Sequence, residues 1–175
     1  MSFSGNENER YKSTGGIIVA TIILLVGGVV LLSRGSSNQN QPTTEVLGVE
    51  VNPVSYDLGE VPINAGIQER EYTIKNTTDK TMRLKKIATS CMCTTASFQL
   101  GDKTTNFFGM EGHGDANPPV NIEIGAGQEG KVIVKFDPAA HGPQGTGPFD
   151  RAVWLTFSDP GGIKELTFNG TVVSE

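Results

Sequence analysis

"FDRAVWLTFSDPGGIKELTFNGTVV" (Phe149 to Val173) reads as two extended runs hinged on Asp-Pro-Gly-Gly, a strong turn signal. Working back from it, "VNIEIGAGQEGKVIVKFDP" (Val120 to Pro138) is strand, Gly-rich turn, strand, with Val132, Val134 and Phe136 in phase. "TMRLKKIATS" (Thr81 to Ser90) carries Met82, Leu84 and then Ile87, so its alternation slips once, as at a β-bulge. "QEREYTIKN" (Gln68 to Asn76) alternates with Tyr72 and Ile74 on one face, and "TTDK" after it is a turn. "VEVNPVSYDLGEV" (Val49 to Val61) is an entry strand broken at Pro53. The sum is about seven short strands, and no stretch of this part shows a 3.6-residue period. The expectation is an all-β, immunoglobulin-like β-sandwich over residues 46–175.

Composition agrees. The chain of 175 residues holds 22 Gly and 9 Pro, punctuation suited to many turns. From Glu45 onward 17 acidic and 11 basic residues leave about −6, and no basic stripe with interleaved aromatics occurs. A polyanion would be repelled, so nucleic acid is not an expected partner. "RLKK" (Arg83 to Lys86), the densest basic spot, reads as a solvated strand face.

The N-terminal part follows different rules. Gly15 to Leu32 is an uncharged apolar run with Thr21 its only hydroxyl. As a helix it reaches ~27 Å, enough to span a bilayer core. Residues 14–33 are therefore expected to be one transmembrane anchor, with membrane contact through residues 15–32. A cleaved signal peptide is the alternative. Arg10 and Lys12 before the run, against Arg34 after it, place the main domain outside the cytoplasm. Residues 1–13 form a short polar tail. Residues 34–45 ("RGSSNQNQPTTE") form a flexible linker.

"TSCMCTTAS" (Thr89 to Ser97) holds both cysteines of the chain, Cys91 and Cys93. On a strand, residues i and i+2 share a face, with Cα atoms ~6.6 Å apart and Met92 turned away. That spacing admits a disulfide, a redox-labile pair, a clamp for one soft metal ion, or inert thiols. The only histidines, His113 in "EGHGD" and His141 in "AAHGP", stand in Gly-rich loops, and Met110 precedes His113 by three residues. Thiolate and thioether select Cu(I), and imidazole accepts either copper oxidation state. Cys91, Cys93, His113, His141 and Met110 are thus the candidate metal ligands, with copper preferred to zinc, for which C-x2-C pairs are the more usual signature.

The order "YDLGEV", "EYTIKNTT", "LKKIATSCMCTTA", "IGAGQEGKVIVKFDP", "GPFDRAVWLTFSD", ending in "LTFNG", resembles a family of bacterial exported domains without an assigned activity. It is similar to the ASH (Hydin-like) and major-sperm-protein branches of the immunoglobulin-like sandwiches. The most specific element is Ser-Cys-x-Cys-Thr (Ser90 to Thr94) after a strand. The resemblance covers Val49 to Val173 and implies a fold and an exported location, not a reaction. Gly101 to Pro119 and Ala139 to Gly147 are longer than the family pattern, and these two loops carry the histidines and Met110.

No paired carboxylates, G-x-S-x-G elbow, phosphate-binding glycine loop or H-E-x-x-H occurs, so an enzyme is not expected. Trp154 reads as a core anchor or a ring on the sheet edge. Three functions remain. The first is a membrane-anchored extracytoplasmic module binding an envelope protein partner. The second is a copper-handling protein. The third is a thiol–disulfide protein, which lacks the helix N-terminus that usually activates such cysteines.

Overall fold

The computed structural model describes residues 44–112 and 117–174. The apolar run at 15–32, the tail and nearly all of the linker lie outside them. Among the described residues no helix is long and apolar enough to cross a membrane.

Among the described residues ten strands form two sheets. The first sheet has the order β1 (Val49–Asn52), β3 (Gln68–Asn76), β8 (Glu129–Phe136), β5 (Thr94–Leu100), β6 (Lys103–Thr104). The second has the order β2 (Ser55–Pro62), β10 (Gly161–Val173), β9 (Gly147–Asp159), β4 (Met82–Thr89), β7 (Ile122–Ile124). Seven strands run to seven residues or more; β1, β6 and β7 are short additions. The expected all-β sandwich is what the chain forms.

The Asp-Pro-Gly-Gly hinge joins β9 to β10, whose register runs unbroken from Gly161↔Ser158 to Val172↔Gly147. The slip in "TMRLKKIATS" is present too, since β4 shifts register against β9 around Leu84. Pro53 does more than break a strand. β1 pairs with β3 in the first sheet, while β2 pairs in parallel with β10 in the second. Proline cannot donate to a ladder, which suits a point where the chain changes sheets.

The inward faces supply one core that includes Tyr72, Ile74, Leu84, Ile87, Phe98, Val132, Leu155 and Phe168. Tyr72 ties the layers together, its hydroxyl donating to the Thr167 carbonyl at 2.7 Å from β3 to β10. Asn76 is buried, and its amide donates to the carbonyls of Lys80, Ile124 and Gly125. Trp154 is not a core anchor. It is half-buried on the outer face of the second sheet, where Nε1 donates to Glu165 on the neighbouring strand.

Candidate metal and thiol centre

The cysteine stretch is a turn rather than a strand. It crosses from the end of β4 in one sheet to the start of β5 in the other. The Thr94 N–H donates to the Cys91 carbonyl at 3.0 Å, closing a four-residue turn around Met92. The buried Thr89 hydroxyl staples it, within reach of the carbonyls of Thr94 at 2.9 Å and Cys91 at 3.1 Å. The turn draws the Cα atoms of Cys91 and Cys93 to 5.2 Å, closer than a strand allows, and the two sulfurs are joined as a disulfide. Met92 points away and is 55% exposed.

A second crossover runs beside the first. β5 pairs with β8 so that Thr94 faces Phe136, and β4 pairs with β9 so that Thr89 faces Val153. The β8–β9 connection therefore leaves and arrives at the end where β4 stops and β5 begins. The Asp137 N–H donates to the Cys93 carbonyl at 2.9 Å, which locks the two crossovers together. Asp137 also accepts the Ala139 N–H at 2.9 Å, opening the turn that leads to His141. A short 3-10 turn (Gly142–Gly145) follows. Gly145 packs so closely that a Cβ there would lie 2.9 Å from His141 Cβ.

The outcome is a cluster. His141 Nε2 lies 3.1 Å from Cys91 Sγ, and the ligand atoms of Cys91, Cys93 and His141 all fall within 4.8 Å of one another. Both cysteines are buried and His141 is exposed. Of the other candidates, His113 lies outside the described residues. Met110 is half-buried just after Gly109, whose carbonyl accepts the Thr89 N–H at 3.2 Å. No described contact brings Met110 to the sulfurs.

Arg151 completes the site and was not among the expected residues. Its Nε donates to Cys93 Sγ at 3.2 Å, and its guanidinium carbon sits 5.8 Å from the centre of the Phe149 ring. Phe149 in turn packs on Phe136 and Phe168, an aromatic floor beneath the cluster. A signal for Arg151 does exist in the sequence. Phe149, Val153, Leu155 and Phe157 are the buried phase of β9, and Arg151 is the charged residue standing in that phase.

A family match spans this turn and leaves His141 and Arg151 outside it. A family model described as "Protein of unknown function (DUF1573)" matches residues 49–105, from β1 to just past β6. No curated protein matches. Among solved structures, a protein of unknown function from Porphyromonas gingivalis W83 is similar with a TM-score of 0.51 at 15% identity, over 77% of this chain and 51% of that one. The present chain thus spans about half the length of that relative, and the likeness is one of fold. Weaker likenesses are to the ASH/PapD-like domain 7 of human CEP192 (TM-score 0.44, 14% identity, 80% of this chain and 96% of that one). Another is to WR4, a C. elegans MSP family member (TM-score 0.33, 10% identity, 72% and 98%).

Proposed function

We propose that this protein is a membrane-anchored, extracytoplasmic immunoglobulin-like module that binds one Cu(I) ion at the end of its sandwich, through Cys91, Cys93 and His141. The observation that carries this reading is the convergence of two sulfurs and one imidazole nitrogen from separate crossovers within 4.8 Å. The anchor and the location rest on the apolar run at 15–32 and its flanking charges.

The donor chemistry favours copper over zinc on two counts. Two thiolates and an imidazole are a soft, three-donor set that suits Cu(I), whereas structural zinc asks for four. Charge points the same way. Two thiolates, one monovalent cation and the Arg151 guanidinium sum to neutrality at a half-buried site, while a divalent ion would leave a surplus positive charge beside Arg151. Metal binding requires the reduced pair, because a disulfide offers no thiolate.

The test is anaerobic loading of the reduced full chain with Cu(I), followed by removal of loose metal with a weak competing chelator. One equivalent retained, with both thiols protected from alkylation, is expected. Two freely alkylated thiols and no retained copper would sink the reading and leave an envelope-protein scaffold as the function to pursue.

A further inference from the structure

The two sulfurs of the bridge have unequal surroundings. Cys93 is the more buried residue, at 4% exposure, and its Sγ receives a hydrogen bond from the Arg151 guanidinium at 3.2 Å. The Thr94 hydroxyl stands 3.6 Å away from the same sulfur. Cys91 is buried too, at 8% exposure, but its Sγ lies beside the exposed His141, on the side of the site that opens to solvent. The backbone N–H that donates to Cys91 Sγ is that of Cys93, a neutral donor, at 3.2 Å.

Thiol–disulfide exchange discriminates between two sulfurs in two ways. The attacked sulfur must be reachable, and the departing sulfur must carry off a negative charge. Here both requirements assign the same roles. From this asymmetry we infer that the Cys91–Cys93 bridge is a directional exchange centre for small or protein dithiols, attacked at Cys91 with Cys93 as the leaving sulfur against Arg151.

The steps balance. The thiolate of a dithiol attacks Cys91 Sγ, and the Cys91–Cys93 bond breaks as a bond forms between the incoming sulfur and Cys91. The electron pair of the broken bond leaves on Cys93 as a thiolate facing the guanidinium. The second thiolate of the dithiol then attacks the first dithiol sulfur and expels Cys91 as a thiolate. The dithiol is oxidised by two electrons to its disulfide, and the protein pair is reduced by the same two. Run backwards, the reduced pair reduces a partner disulfide. Arg151 acts here as a positioning residue, through the sulfur it holds. This inference does not require that the reduced pair bind copper.

The experiment stops exchange at its first step. The oxidised full chain is mixed with reduced glutathione, a monothiol probe, acid-quenched within seconds, alkylated and mapped by fragmentation of the peptide holding both cysteines. Glutathione on Cys91 with the alkyl group on Cys93, in at least tenfold excess over the reverse, is the expected result. Arg151→Gln should bring the ratio toward one and slow opening several-fold, and Arg151→Lys should restore part of both. Equal labelling of the wild-type chain, or an excess on Cys93, overturns the assignment. So does a ratio untouched in a folded Arg151→Gln chain. Should that variant fail to fold, the wild-type map decides alone.

Discussion

His141 Nε2 and Cys91 Sγ stand 3.1 Å apart, although fifty residues of chain separate them. Two adjacent crossovers between the sheets create that contact, and neither crossover places the pair alone. If the imidazole is a ligand, removing it costs metal and little else, because His141 is exposed. His141→Ala should weaken Cu(I) retention by about tenfold or more, read by chelator competition, with the thermal midpoint shifted by no more than a few degrees. Met110→Leu, which keeps Cys91, Cys93 and His141 in place, should leave retention unchanged, and a loss there would add the thioether to the donor set.

Gly145→Ala tests the same contact from behind. The new methyl group would meet His141 Cβ at 2.9 Å, so the imidazole must shift. Copper retention should fall, by less than for His141→Ala, while both thiols stay equally accessible to alkylation in the metal-free reduced chain. Unchanged retention would mean that the ring's position matters little to the site.

Gly130 on β8 gives a prediction about the fold itself. A Cβ there would come within 2.3 Å of Phe98 Cζ, a ring with no solvent exposure in the core. Gly130→Ala should cost about 1–3 kcal/mol by overpacking, measured by urea unfolding. A cost below a few tenths would show that Phe98 repacks freely.

Tyr72 couples the two sheets and should make stability fall in alkali. Burial pushes its phenol well above the usual value of 10, and the nearby Tyr56 adds to the rise. For a group whose folded pKa is raised, the contribution is full below the unfolded pKa and is lost as pH climbs toward the folded one. The described domain should therefore lose stability progressively above about pH 10. Tyr72→Phe removes this dependence together with the bond to Thr167, at a cost of about 1 kcal/mol near neutrality.

Some of this was legible in the residues and some was not. The β9–β10 hairpin could be read because Asp-Pro-Gly-Gly and the flanking alternation are local. The slip at Leu84 could be read for the same reason. The move of the chain from one sheet to the other at Pro53 could not, because it depends on which partners β1 and β2 find, β3 and β10. The cysteine turn resisted for a subtler cause. Thr89 and Thr94 have strand character, yet the Thr89 hydroxyl spends its bonding on the turn's carbonyls.

The site shows the same division. Cys91, Cys93 and His141 were recognisable as ligand types, but their meeting required the β8–β5 and β9–β4 registers, which no local pattern encodes. Arg151 was the reverse case. Its position was marked by charge in an apolar phase, and only the geometry shows that the charge answers a sulfur.

The point at which the chain enters the sandwich bears on what the centre can reach. Glu45 bridges to Ile163, close to the Asp159–Gly161 turn, whereas the cysteine turn hydrogen-bonds to Ala152 at the far stretch of the same hairpin. Entry and cluster thus lie at different levels of the hairpin, the entry beside the Asp159–Gly161 turn and the cysteine turn four register positions further along. The described chain joins the sandwich at Thr44 to Val46, hydrogen-bonded to Ile163, and not at the cysteine turn. A partner docking on the cysteine turn would therefore have no need to displace the pairing of Thr44 to Val46 with Ile163.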